Sequence, residues 1–480
     1  MTAPGSIRSV VVGGGGITAW SAAAALKRGI PTLDVTVVSS PVTDDAIADR
    51  LPSTLPSIAG FHQDLGLTEA DTVIRAQSGL RVGTIFDGWS LGLPPYVHAY
   101  GNYGTAVEGV PFHQLWLRAR AANGAAPFDR FSLAAELGRL GRIGSAAPTA
   151  PPIGYGLHLT LDRYLALMRD FALHLGVQEQ ACRGFETKVD SESGFVEMLT
   201  FDSGTTVAGD LFVDCTGPSA SIRSALDDSF EDWSSWLPCD RLLIATGRSS
   251  DDAGLLDRVS ATANGWRWQS SFWRGAVYSS AHAKEAVAED GTEINIRQGC
   301  RHQPWLRNCV AIGDSAVTVE PLEWANLHLA HSQIDRLIAM MPGRDCAPVE
   351  LAEYNRQCLD EARRVRDFLC MHYVTARRDE PFWKEASTIA PPQSLAHTLA
   401  LFAERGRIPY YEEETFSRDS WVAVLLGQGF EPRQTEPLAD MLSLEEIQGE
   451  LDRHSDFIRG FVGAQPMYLD YMASLSGTLQ

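Results

Sequence analysis

The chain opens on a short apolar run, Ile7 followed by Val10-Val11-Val12, whose length and β-branched content predict a strand. Four glycines, Gly13 to Gly16, follow it, and then comes an alanine-rich stretch including Trp20 to Lys27 with helical character. Val35 to Val38 is a second apolar run, so the opening predicts strand, turn, helix and strand. Further on, Leu159 to Leu175 has helical periodicity, while Phe195 to Phe201 and Leu211 to Val213 read as strands flanking the turn Asp202-Ser203-Gly204. Leu327 to Met340 is predicted to be an amphipathic helix, and Tyr354 to Tyr373 another, rich in arginine and acidic residues. From about residue 390 the pattern is mostly helical, with breaks at Gly406 and at Gly427 to Gly429. Residues 145–154, rich in Pro and Ala, are expected to form a surface loop, and there is no internal repeat or low-complexity tract.

At 480 residues the chain has room for two or three domains, or for one large domain with an appendage. A hydrophobic content of 45% with 21% charged residues suits a protein with a sizeable core. The formal net charge of -20 argues against a nucleic-acid binder, which needs a basic stripe, and against docking on an anionic membrane. The eight cysteines show no CxxC or CxxH spacing, so no metal site is expected. Cys215 and Cys309 sit inside apolar runs, as buried free thiols do in a reducing cytoplasm. No signal peptide precedes the first strand and no apolar run reaches the length of a membrane span. The expectation is a soluble, cytoplasmic protein.

Two motifs carry chemistry. Gly14-x-Gly16-x-x-Ala19, placed after a strand and before a helix, fits the dinucleotide fingerprint with alanine in the third place. Its glycines permit a tight turn and a close approach of diphosphate to the helix N-terminus. The second strand ends in Ser39-Ser40, where an acid usually holds the adenosine ribose; Ser39 can hydrogen-bond there, more weakly than a carboxylate. Far along the chain, Asn308 to Asp314 is an apolar strand ending in Gly313-Asp314, followed by Glu320-Pro321-Leu322-Glu323. Asp314 can face the ribityl hydroxyls of a flavin, and the peptide from Pro321 onward can lie against the ring. One cofactor, FAD, needs both motifs.

With those stretches the sequence resembles the flavin-dependent tryptophan halogenases, over nearly its whole length. The resemblance also rests on Gly14 to Trp20, on Asp210 to Gly217, on Gly265-Trp266-Arg267-Trp268, and on Ser420 to Gly429. It implies an α/β fold, the Rossmann-like FAD-binding fold of the aromatic flavin monooxygenases, with an added helical C-terminal subdomain. On that basis residues 1–385 are expected to form the FAD-binding and substrate-sheet module and residues 386–480 the helical subdomain. The resemblance further implies reduced FAD supplied by a separate flavin reductase, consumption of oxygen and a halide ion, and an oxidant that travels down a tunnel to an indole or another electron-rich aromatic.

Residue by residue, the resemblance places Arg81 where the family has a catalytic lysine. A guanidinium stays charged and is a poor nucleophile, yet it can orient an oxidant or bind an anion. The family's glutamate falls on Glu323, which can steady a cationic intermediate or take its proton. The family's small hydroxyl residue after it is replaced by Trp324, beside the expected halide position. His98 and Tyr100 match a pair that stacks on the substrate ring. Both tryptophans of the family's Trp-x-Trp-x-Ile-Pro motif remain as Trp266 and Trp268, without Ile-Pro. The flavin-covering strap at Leu51 to Pro56 keeps Thr54 and Pro56 and loses Gly-Glu. Three readings stay open at this level: a halogenase, a flavin oxygenase or oxidase that uses no halide, and a flavin-poor homologue acting as a partner or regulator.

Overall fold

The computed structural model describes residues 5–144, 153–245, 254–270, 273–283 and 291–477. The stretch expected as a surface loop at 145–154 lies, except for its last two residues, outside the described residues. The chain forms two compact units. The first comprises residues 1–79, 157–235 and 294–363, and the second residues 80–156, 236–293 and 364–480. The expected boundary between residues 385 and 386 falls within the helix Pro381–Thr388 of the second unit.

The first unit is built on a six-stranded sheet. In spatial order its strands are Trp305–Leu306, Cys309–Ala311, Leu211–Asp214, β1 (Ser9–Gly13), β2 (Asp34–Ser39) and Gln178–Ala181. All neighbours run parallel except the first pair. The register sets Gly13 beside both Val38 and Asp214, and Asp214 beside Ala311, so several strands end level with one another. In parallel sheets such an edge, at the carboxyl ends of the strands, is where ligands bind.

Between β1 and β2 runs α1 (Ile17–Gly29), buried from Ile17 to Leu26. Its alanines let the helix lie close to the sheet, and Lys27 ties off its far end by donating to the Pro31 and Leu33 carbonyls (3.0 and 2.7 Å). A smaller antiparallel sheet, Phe185–Val189, Val196–Phe201 and Thr206–Ala208, packs its apolar side chains against Val11, Val38 and Phe212. Burial pushes the Cys215 and Cys309 thiols well above their ordinary range, consistent with inert core cysteines.

The second unit carries a seven-stranded sheet in the order Gly291–Asn295, Arg241–Ala245, Arg274–Tyr278, Gly265–Gln269, Leu256–Thr262, Gly83–Asp87 and Tyr96–Ala99. From Arg241–Ala245 onward its pairings are antiparallel except where Leu256–Thr262 meets Gly83–Asp87. Helices follow in the C-terminal part: Gln393–Arg405, Arg418–Gly427, Leu444–Ala464 and Tyr468–Gly477. The expected break at Gly406 is the left-handed C-cap of the first (φ +68°). Ser443 and Glu446 form a reciprocal capping box at the start of the third. The two helices expected at 327–340 and 354–373 are observed as Asn326–Ala339 and Pro348–Val374. Among the described residues no helix is long and apolar enough to cross a membrane, and no cluster of His, Cys, Asp and Glu could hold a metal.

In the first unit two histidines are buried without charge. The Nε2 atom of His62, on the helix Ile58–Leu65, lies 2.8 Å from the Tyr164 hydroxyl, and burial lowers its pKa to about 4. His331 stacks on Phe61 with ring centroids 3.7 Å apart, and burial likewise holds it well below its usual value. The unfolded chain takes up a proton at His62 near pH 6.5, whereas the folded chain waits until about pH 4. Between those values the unfolded state binds more protons, so stability is greatest above pH 6.5 and falls as the solution is acidified. From this residue alone, urea unfolding at pH 5 is expected to give about 2 kcal/mol less stability than at pH 7.5. In His62→Gln that share of the acid sensitivity should vanish; an unchanged pH profile would refute the assignment.

Candidate functional site

At the end of β1 the chain turns with Gly14 at φ +129°, a conformation that disfavours any other residue. The Gly14 amide donates to the Val38 carbonyl (3.0 Å), tying the turn to the end of β2. A Cβ on Gly14 would come within 2.5 Å of the Cys215 carbonyl oxygen and 3.3 Å of the Ala19 Cβ. The glycine is thus required by close approach to the neighbouring strand's end, and Ala19 by close approach to the turn. Gly16 is the N-cap of α1 and offers no side chain to the first amides. Ser39, at the end of β2, lies beside Gly15, with its Oγ 3.4 Å from where that residue's Cβ would be.

Opposite the turn, Gly313 (φ +65°) donates its amide to Gln333 Oε1 at 2.8 Å, and a Cβ there would meet Thr18 at 2.9 Å. Asp314 follows, only 6% exposed. Its Oδ2 accepts the Ala48 amide at 2.7 Å, and its Oδ1 is buried without a hydrogen-bond partner among the described residues. Burial first, with the neighbouring Asp49 and Asp45 adding to it, holds this carboxyl well above the usual range, although the Ala48 amide works the other way. Asp49 itself touches α1: its Oδ1 accepts the Thr18 amide at 2.7 Å. Its pKa is raised by burial, which outweighs that hydrogen bond.

A third carboxylate organises the same edge. Asp214 accepts the Thr216 amide and hydroxyl (3.0 and 2.7 Å) at Oδ1 and the Ile222 and Arg223 amides (2.8 and 2.7 Å) at Oδ2. Ser315, next to Asp314, also donates to it at 3.2 Å. Neither Asp49 nor Asp214 was singled out from the sequence. Asp214 lies in the matching run Asp210 to Gly217, which was the available signal; Asp49 sits in a segment with no motif.

Beyond Asp314 the chain makes a tight turn in which the Trp324 amide donates to the Pro321 carbonyl (3.2 Å). Trp324 adopts φ +60°, a rare conformation for a bulky side chain, which costs on the order of 1–2 kcal/mol. The turn is held from both ends, because Asn326 Nδ2 donates to the Val319 carbonyl (2.7 Å) and Gln298 bonds the side chain and amide of Glu320 (3.1 and 3.0 Å). Glu323 and Trp324 are both buried, at 2% and 1% exposure, just before the helix Asn326–Ala339.

The second unit holds the remaining expected residues. Asp257, Thr84 and His98 form one cross-strand row on its sheet. Arg81 reaches into that row: Nε donates to Asp257 (2.9 Å), one terminal nitrogen to Thr84 Oγ1 (2.9 Å) and the other to the Tyr100 hydroxyl. The Arg81 and Asp257 side chains are 1% and 0% exposed, so this is a buried, charge-assisted pair. His98 lies against Phe368 and Phe416 (centroids 5.6 and 6.4 Å), which stack on each other at 3.9 Å, and Phe368 meets Trp421 edge-on. Arg364 spreads over Tyr411 and Trp421 and donates to Glu414 (2.8 and 2.9 Å). Trp266 donates to the Tyr373 hydroxyl (3.0 Å) in the core. Arg81, His98 and Tyr100 thus come together in this unit, while Glu323, Trp324 and the expected FAD contacts belong to the other.

A buried pair is costly to break from one side. Asp257→Leu is expected to strand the guanidinium and lower the unfolding free energy by about 3–5 kcal/mol. Adding Arg81→Met should restore most of that loss. Denaturant titration of the two single variants and the double variant measures the coupling, and simple additivity would show that the pair is not linked.

A family model, tryptophan halogenase, matches residues 9–443. Among curated proteins, the tryptophan 6-halogenase SttH of Streptomyces toxytricini is 27% identical, covering 97% of this chain and 98% of that protein. Among solved structures, the flavin-dependent halogenase BrvH of Brevundimonas sp. BAL3 superposes with a TM-score of 0.91 at 34% identity, over 98% of this chain and 99% of that one. A flavin-dependent halogenase of Xanthomonas campestris gives 0.91 at 31% identity, over 98% of both. The α/β architecture, with its parallel sheet and helical C-terminal region, is the one these structures share. This chain belongs to the tryptophan halogenase family of enzymes.

Proposed function

We propose that this enzyme uses reduced FAD, supplied by a separate reductase, together with oxygen and a halide to halogenate tryptophan, a free indole or another electron-rich aromatic. The observation that supports the cofactor is the edge of the first unit's sheet. There a glycine turn leads into a helix N-terminus, and opposite it Asp314 buries an oxygen that no group among the described residues satisfies. A buried acceptor without a donor is costly, and a ligand hydroxyl is the donor that such a place fits. Gly14, Gly16 and Ala19 would hold the diphosphate, Ser39 the adenosine end, Asp314 the ribityl chain and the peptide from Pro321 the ring. When bound and reduced, the flavin supplies the electrons that activate oxygen.

The protein's own residues supply the rest. Glu323, buried after the Pro321 turn, would accept the proton released from the ring carbon or steady the positive charge that precedes its loss. His98 and Tyr100 would meet the aromatic substrate through their rings. Arg81 is held by Asp257, Thr84 and Tyr100, so it suits the fixing of an anionic or polar oxidant rather than nucleophilic attack. Trp324, buried at the position of a small residue in the family, favours a second reading in which oxygen rather than halogen is transferred. The test is turnover of the purified enzyme with FAD, a flavin reductase, chloride or bromide and a panel of indoles, followed by mass spectrometry. A halogen isotope pattern that disappears when halide is omitted is expected; an oxygenated product that is indifferent to halide would overturn halogenation. Glu323→Gln should bind FAD normally and lose about 100-fold or more in turnover.

A further inference from the structure

Resting on that reading of the flavin site, we propose that the segment Ala46–Arg50 is an internal competitor for the dinucleotide, with the Asp49 carboxylate standing in for the cofactor's diphosphate. The N-terminus of α1 is the anion position of the fold, because its first amides point outward and its dipole favours negative charge. In this structure a protein carboxylate already fills it. Asp49 Oδ1 accepts the Thr18 amide at 2.7 Å, and the carboxylate atoms lie 2.3–2.6 Å from where a Gly16 Cβ would be. The glycine that permits close approach of a diphosphate here admits the side chain of the chain's own aspartate.

The same segment also covers the other expected contact. Ala48 donates its amide to Asp314 Oδ2 at 2.7 Å. Ala46, Ile47 and Ala48 are each at most 2% exposed. The chain after the third carboxylate's strand approaches them closely, since a Cβ on Gly217 would meet the Ala46 Cβ at 3.3 Å and Thr43 Oγ1 at 2.8 Å. Arg50 folds the segment back on itself through the Val42 carbonyl (3.1 Å) and Asp44 (3.0 Å). A diphosphate cannot share the Thr18 amide with Asp49, since two anions would occupy one hydrogen-bonding position. Binding therefore requires the segment to withdraw. The arrangement is poised for this, because Asp49 and Asp314 crowd one buried edge that disfavours the ionised form of each, and among the described residues Asp314 Oδ1 has no hydrogen-bond partner while the segment is in place.

The consequence is a conformational cost on cofactor affinity: the apparent dissociation constant is the intrinsic one divided by the fraction of molecules whose segment has withdrawn from the turn. The test compares the full-length protein with Asp49→Ala and Asp49→Asn, titrating each with FAD by flavin fluorescence and following backbone hydrogen exchange over 44–52. Asp49→Ala should bind FAD roughly tenfold more tightly, with Asp49→Asn in between. In the unsubstituted protein FAD should speed exchange at Ala48 while leaving Thr18 protected. Equal or weaker binding by Asp49→Ala, with exchange over 44–52 unchanged or slowed by FAD, overturns the competitor and leaves the flavin site standing. If neither the unsubstituted protein nor Asp49→Ala binds FAD, the reading of the site itself fails and the competitor with it. Asp314→Ala, expected to weaken FAD in either background, separates specific binding at this edge from adventitious adsorption.

Discussion

The first unit depends on how closely the turn after β1 approaches the ends of its neighbouring strands. Parallel pairing brings Gly13, Val38, Asp214 and Ala311 level, and only a glycine at position 14 can pass beneath the Cys215 carbonyl. From that approach follow the start of α1, the placing of its first amides at the sheet edge, and the meeting of three carboxylates there. Asp214 is satisfied by five donors and acts as a rivet. Asp314 and Asp49 are not so well served, and they are the ones proposed to bear on the cofactor. The three carboxylates are separated by their hydrogen-bond partners rather than by burial, which all of them share in some degree.

The second unit uses charge differently. Arg81 ties two neighbouring strands of the sheet together through Asp257 and Thr84, and Arg364 pairs with Glu414 beside a group of aromatic rings. Buried pairs of this kind contribute little net stability relative to apolar replacements, yet they fix register, because any slip leaves a charge without its partner. On the proposed reading Arg81 stands where the family has an amine, and here its guanidinium is held by a carboxylate counterpart.

The proposed departures from the family pattern share one trait. On that reading Ser39, Arg81, Trp324 and the strap from Leu51 to Pro56 would alter what a ligand meets, while the elements that build the scaffold are retained. Cofactor affinity and substrate choice are set by such contacts, whereas the fold is set by packing, so the two can diverge within one family.

The apolar run at Val10–Val12, the glycine fingerprint, the paired strands and the long helices were all legible in the sequence, because each is fixed by local periodicity and turn chemistry. Gly313-Asp314 was legible for the same reason. Asp49 and Asp257 were not, since an aspartate on an unmarked loop or strand carries no local signal; its partners, Thr18 and Arg81, lie 31 and 176 residues away. Nor did local pattern reveal that the chain divides into two discontinuous units, which depends on which strands find each other. The sequence by itself determined the strand–turn–helix opening and the family, because hydrophobic period and glycine placement act over a few residues. Only the tertiary structure decided which carboxylates stand at the helix end and which are consumed by the scaffold, because that depends on long-range register bringing distant donors within hydrogen-bond reach.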